Sequence, residues 1–317
     1  MRGVISEKLK PFLEQANTAI DEAKKNNVPF SVEVVRNNLE KLSAFIGEGP
    51  EIIHIEDNAL EIENRKIPVR IYSPAPEHSL PVVLHFHGGG HMCGSVRLYD
   101  TISRKIAKAG HCIVIAVEYR LAPEYPYPAG IEDCQFALLQ YKKLLKNVNY
   151  TEQLIILGDS AGGAICTTLS SHNINNANVS IDKQILIYPS VDYTMNSLSM
   201  EENGTGFLLE KDKISWYFEN YFQSRTSQKN AQVDSLKNAS PLYMPMDNTM
   251  PKTFILTGSC DPLKDEGVAY SKALKNIGVH VEHHHFDGMI HAFMLLDSLV
   301  ASECEKVYQL IGEFVRS

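Results

Sequence analysis

Long apolar runs are missing from this 317-residue chain. The longest, such as Ile113–Val117, fall far short of the roughly 20 residues that a membrane-crossing helix needs. The N-terminal MRGVISEKLKPFLEQ is broken by charges every few residues and so lacks the apolar centre of a secretion signal. Any Lys/Arg cluster is missing too. Against 38 Asp+Glu there are 30 Lys+Arg, a net charge of −8, which excludes nucleic acid as the expected partner. Cysteine is sparse and scattered: Cys93, Cys112, Cys134, Cys166, Cys260 and Cys304 form no C-x-x-C pair. Isolated cysteines in a chain without a secretion signal read as buried, reduced thiols rather than disulfides or zinc ligands. There is no repeat of fixed period and no low-complexity tract. What remains, 44% hydrophobic and 21% charged residues, is the balance of a globular enzyme, expected to be soluble and cytoplasmic with no transmembrane segment.

The pattern along the chain changes once, near residue 50. Before it, Phe12, Leu13, Ala16, Ala19, Ile20 and Ala23 follow Pro11 at helical spacing. Ser31 can cap a second helix carrying Val34, Val35, Leu39, Leu42 and Phe45. After it, EIIHIED and IPVRIYSP suggest an antiparallel opening pair. The runs 81–87, 112–119, 153–159, 183–189 and 252–258 are continuous and β-rich, as in strands buried on both faces. Helical segments are predicted at 96–109, 130–145, 161–173 and 264–276, then a strand over 278–286 and a terminal helix over 292–316. Strand and helix in alternation predict a mostly parallel sheet covered on both faces. The stretch 191–248 interrupts that alternation without a buried strand and carries the only tryptophan, Trp216. Leaving from a strand's carboxyl end, it is expected to lie over the site as a cap. The division expected is 1–50 and 191–248 as cap, 51–190 and 249–317 as core.

Gly158-Asp159-Ser160-Ala161-Gly162 follows a predicted strand and opens a predicted helix, the setting a G-x-S-x-G nucleophile turn requires. Residue frequencies alone allow roughly 0.1 chance matches in a chain this long, so the setting matters. His87-Gly88-Gly89-Gly90 follows another strand. Backbone N–H groups of Gly88 and Gly89, with that of Ala161, are expected to converge on a developing oxyanion, while His87 braces the loop. In this arrangement the acid and then the histidine come later in the chain, each after a strand. Asp261 and His291 meet that order. Asp265 and Glu266 are expected in a helix's first turn, and Asp287 in a turn. His283, His284 and His285 look like metal ligands, but on a strand His284 points away from the other two, so no metal site is expected. His91 is expected to brace or line the pocket.

Together HGGG at 87–90, YRLAPE at 119–124, YPAGIED at 127–133, GDSAGG at 158–163, DPLKDEG at 261–267 and DGMIH at 287–291 resemble the hormone-sensitive-lipase-like family of α/β-hydrolases. The resemblance runs from about residue 50 onward. It implies an α/β-hydrolase fold with a helical cap and a carboxylesterase acting on short- to medium-chain esters. It implies Ser160 as nucleophile with Asp261 and His291 as partners, and Gly88, Gly89 and Ala161 as oxyanion donors. No metal or organic cofactor is required, the substrate is a small-molecule ester, and a homodimer is a possible assembly. An amidase or peptidase-like hydrolase would use the same residues, and a non-catalytic ligand-binding protein could use the same scaffold. Two departures bear on the pocket: His91 stands where the family often has an aromatic, and Ala164 where it commonly has Asn. Phe207, Trp216 and Phe218 are the cap aromatics expected to offer apolar walls.

Overall fold

The computed structural model describes residues 1–174, 176, 178–223 and 229–317, with the backbone alone for 229–233. The expected cap stretch therefore includes residues 224–228 outside the described ones. In chain order the strands are β1 (His54–Ile62), β2 (Arg65–Ser73), β3 (Leu80–Phe86), β4 (Ile113–Val117), β5 (Tyr150–Asp159), β6 (Lys183–Ile187), β7 (Lys252–Cys260) and β8 (Val281–Ile290). The helices are α1 (Lys10–Lys25), α2 (Val32–Glu40), α3 (Asp100–Gly110), α4 (Ala129–Gln140), α5 (Ala161–His172), α6 (Leu198–Asn203), α7 (Lys211–Phe222), α8 (Lys229–Ala239), α9 (Lys264–Asn276) and α10 (Ala301–Arg316).

The strands form one eight-stranded sheet in the order β1-β2-β4-β3-β5-β6-β7-β8. β2 pairs antiparallel with both β1 and β4, and all pairs from β4 to β8 are parallel. Successive side chains of a strand face opposite sides, and both sides here are apolar. Val83, Ile155, Leu157, Ile185 and Leu256 pack with Ile106 of α3 and Ile311 of α10. Leu84, Ile156, Leu186 and Ile255 pack with Leu138 of α4, Leu169 of α5 and Leu274 of α9. Burial on both faces explains why the strands read as unbroken apolar runs rather than alternating ones. No helix is long and apolar enough to cross a membrane among the described residues.

Several boundaries differ from the predicted ones. The helix expected from residue 96 starts at Asp100, because the turn before it is held by Ser95 Oγ, which accepts from the Leu98 N–H, and by Glu118, which accepts from the Val96 N–H. The one expected over 130–145 ends at Gln140 and tightens into a single 3-10 turn. β8 runs past Phe286 to Ile290, carried through Asp287 and Gly288 by a bulge that re-pairs Ile290 with Cys260. The terminal helix starts at Ala301 rather than 292, since Ala292 takes a left-handed φ of 60° and Phe293–Leu296 form a separate 3-10 turn. Residues 191–248 hold α6, α7 and α8 with no strand among the described residues.

Candidate active site

β3 lies between β4 and β5, so the chain leaving β3 and the chain leaving β5 diverge: α3 packs on one face and α5 on the other. That is where the order of a parallel sheet reverses, and a crevice opens there beyond the strand ends. The glycine loop follows β3, and Ser160 follows β5.

Ser160 sits at φ 53°, ψ −117°, a backbone state that costs on the order of 1–3 kcal/mol in a non-glycine residue. The surroundings hold it there. Its N–H donates to Ile187 O at 2.9 Å, and its own carbonyl accepts from the Ala164 and Ser190 N–H groups, both at 3.1 Å. The turn is tight enough that a Cβ on Gly162 would run into Phe86 O and one on Gly158 into the backbone of Gly162. Both flanking glycines are thus explained by close approach.

The structure brings together the three side chains expected from the sequence. His291 Nε2 is 2.8 Å from Ser160 Oγ, and His291 Nδ1 is 2.8 Å from Asp261 Oδ2. Asp261 is fully buried, and its other carboxylate oxygen accepts the Leu263 N–H at 2.7 Å, which fixes the face shown to the imidazole. Asn203 of α6 reaches the same loop, its Nδ2 donating to the carbonyls of Asp261 and Ser259. The rival acids lie elsewhere. Glu266 accepts from the Val191 N–H, Asp265 from the Ser199 N–H, and Asp287 is exposed. His283 and His285 both meet Thr257 Oγ1 at 2.9 Å, while His284 stacks on Phe254. Among the described residues no group of three or more His, Cys, Asp or Glu is placed to hold a metal ion. All six cysteines are free and buried.

The expectation for Gly88 does not hold. Its N–H donates to Asp159 Oδ1 at 2.7 Å and is not available to an oxyanion. The reason lies in the direction of the loop: Gly88 lies so close to Asp159 that a Cβ there would meet Oδ2, and the chain then turns at Gly89, φ 121°. Gly89, Gly90, Ser160 and Ala161 line the cavity, and the N–H groups of Gly89, Gly90 and Ala161 donate to none of the described residues. Asp159 also accepts from Tyr99 OH at 3.0 Å. Burial pushes its carboxyl up to about 6, against the pull of these two donors. His87 braces the loop as expected: its Nδ1 meets Gly88 O at 2.8 Å, its ring stacks on Tyr119, and burial drives its pKa down to about 4. His91 stacks on Tyr221 at 3.9 Å and meets Tyr193 OH, with its pKa driven down by burial to about 3.

Above these groups lies a cavity of about 590 Å³. α1 and α2 wall it with Phe12, Ile20, Val35 and Leu39, and the segment before and within α7 adds Leu208, Ile214 and Phe218. Of the expected cap aromatics only Phe218 faces it. Phe207 is packed under Arg2, and Trp216 lies against Phe30. Tyr217, next in the chain, lies over Gly90. Lys24 of α1 is ion-paired with Glu210 at 2.6 Å. Arg36 pins α2 by a bidentate pair with Glu124 and by donating to the carbonyls of Met92 and Ala122. Sequence reasoning passed over Asp159, Tyr99 and Arg36. Asp159 was in plain view inside the serine motif, and Glu124 inside YRLAPE.

Comparison with known proteins agrees with this architecture. The family model described as alpha/beta hydrolase fold matches residues 83–295. An ethyl acetate hydrolase of Pseudomonas putida is 29% identical over 286 residues, covering 87% of each chain. The carboxylesterase NlhH of Mycobacterium tuberculosis is 30% identical over 277 residues, covering 86% of each. The solved structure of a Pyrobaculum calidifontis esterase superposes with a TM-score of 0.85 at 28% identity over 98% of both chains. With a sheet reversed between the glycine loop and the serine turn, and with these relatives matched nearly end to end, the chain belongs to the hormone-sensitive-lipase-like family of α/β-hydrolases.

Proposed function

We propose that Ser160 is the nucleophile of a carboxylesterase that cleaves short- to medium-chain esters through an acyl-enzyme. That the chain is a carboxylic ester hydrolase follows from its family and its full-length relatives. The residue roles rest chiefly on one observation, the unbroken path Asp261–His291–Ser160 with both links at 2.8 Å. Ser160 Oγ attacks the ester carbonyl carbon as its proton passes to His291 Nε2, and Asp261 holds the imidazole by Nδ1. Charge gathers on the carbonyl oxygen, which meets the N–H groups of Gly89, Gly90 and Ala161. Gly90 takes the place expected of Gly88. The tetrahedral adduct collapses, the bond to the alcohol oxygen breaks, and His291 returns the proton to the leaving alcohol. Water then repeats the sequence on the acyl-serine and frees the acid. In this reading residues 1–50 and 191–248 are the cap that encloses the substrate. The volume and apolar walls of the cavity support acyl chains of medium length.

The test is hydrolysis of p-nitrophenyl esters from acetate to decanoate by the wild-type chain and by Ser160→Ala. The expected outcome is turnover on the shorter members and a loss of kcat on the order of 10⁶ in the variant. Folded wild type with no Ser160-dependent hydrolysis of any member would falsify the reading.

A further inference from the structure

The cavity is apolar except for a few charged groups on its wall, and these are not alike. Glu210 is held by Lys24 at 2.6 Å, and Lys41 donates to Asn38 Oδ1 at 3.2 Å. Asp159 is held by Gly88 and Tyr99. Asp212 is exposed, and its field falls on Lys24. Lys213 lines the same cavity, yet its ammonium makes no hydrogen bond and no ion pair with any described residue. Its Nζ lies 5.8 Å from the centroid of the Tyr217 ring.

Three effects disfavour a cation there. Lys213 stands in the first turn of α7, at the helix end whose dipole repels positive charge. Burial pushes its ammonium pKa down. No carboxylate pairs with it: Glu210, three residues away, is engaged by Lys24 and offsets the desolvation only in part, through its field. An anion inside the cavity would relieve all three. Tyr217, which lies beside Lys213, also covers Gly90, so the cation stands near the loop that frames the carbonyl.

We propose that Lys213 is a specificity residue that receives an anionic group of the substrate, so that the preferred ester carries a carboxylate separated from its scissile carbonyl by a short apolar chain. This rests on the esterase reading of the same cavity and names its substrate class. Among the charged groups on the wall, one without a hydrogen-bonded partner among the described residues orients a ligand by its charge. A lysine offers a point charge rather than a planar fork, so it selects for negative charge and tolerates variation in the position of the group. The reaction at Ser160 is unchanged, and the carboxylate takes no part in bond making.

The test compares two esters of equal acyl length, p-nitrophenyl hexanoate and mono-p-nitrophenyl adipate, on the wild-type chain, Lys213→Met and Lys213→Arg. The ratio of kcat/KM for the anionic over the neutral ester is expected to fall at least tenfold in Lys213→Met and to recover to within about threefold of wild type in Lys213→Arg. A second arm measures binding of mono-p-nitrophenyl adipate in the Ser160→Ala background. There, adding Lys213→Met is expected to weaken Kd at least tenfold while leaving Kd for the hexanoate ester less affected. An unchanged ratio together with an unchanged Kd overturns the proposal. Because the second arm needs no turnover, it still decides the matter if neither ester is hydrolysed, an outcome that would count against the esterase reading alone.

Discussion

The floor of the cavity and its walls are built by different physics. On the floor, Ser160, Asp261 and His291 sit at the ends of buried parallel strands, each fixed by backbone or charge-assisted hydrogen bonds and each almost without exposure. In the walls, α1 and α2 are short amphipathic helices with few buried residues, Leu13 on one and Val35 on the other. They are fastened at points such as Lys24–Glu210 and Arg36–Glu124. The contrast separates chemistry from selection. Bond cleavage, as proposed, needs atoms placed to a few tenths of an ångström, which a strand end supplies, whereas walls of packed helices can be altered without touching the groups at the strand ends.

The contrast can be broken or sharpened experimentally. Beyond Ser160 itself, the largest effect is expected from Gly88→Ala on the floor. Its new methyl meets the Asp159 carboxylate and swings the loop that carries the Gly89 and Gly90 N–H groups. Losing an oxyanion donor costs on the order of 3 kcal/mol, so kcat on p-nitrophenyl butyrate should drop by about 10²-fold or more with KM little altered. A variant with normal kcat would remove Gly88 from the framework of the site.

Next is Asp159→Asn, which probes the same loop through stability. The folded-state pKa of Asp159 is raised by burial, to about 6, so the folded chain holds this proton more tightly than the unfolded one. Its contribution to stability is fully present below the unfolded value near 4 and is lost as pH rises through about 6, a swing of roughly 3 kcal/mol. Tm of Asp159→Asn minus Tm of wild type should therefore increase between pH 4 and pH 8. A flat difference would mean that the Gly88 and Tyr99 hydrogen bonds offset the whole desolvation penalty.

The smallest effect belongs to the wall. Lys24 is about half exposed, so Lys24→Met should change unfolding free energy in urea by less than about 1 kcal/mol. A loss of several kcal/mol would show that the walls are braced as firmly as the floor.

The same division marks what the sequence made legible. Ser160 and Asp261 could be placed because each follows a strand with an unmistakable apolar run, whereas the strand before His291, VEHHHFDGMI, shows none and only the order along the chain placed it; α9 begins and ends where its pattern does. In the glycine loop the donor expected at Gly88 is already engaged. Three consecutive glycines announce that Cβ atoms are unwelcome, but they do not say which N–H is already engaged, and that was decided by Asp159, 71 residues along the chain. β8 was ended too early because Asp287 and Gly288 look like a turn in isolation, while pairing to β7 carries the strand through them. In α7 the aromatic run was visible, but which rings face the cavity depends on how Phe30 and Gly90 meet the helix, and no periodicity encodes that.

The first residues also reach the acid's loop. Arg2 donates to the carbonyls of Glu202 and Thr205, Gly3 donates to Asn203 Oδ1 while Asn203 holds Asp261, and Ser6 donates to Gly288 O just ahead of His291. These contacts span 200 residues or more of chain, so their loop-closure entropy is repaid only when the rest of the core is formed. The clasp between residues 2–6 and the loops of Asp261 and His291 ties the placement of those two side chains to a segment far away in the chain.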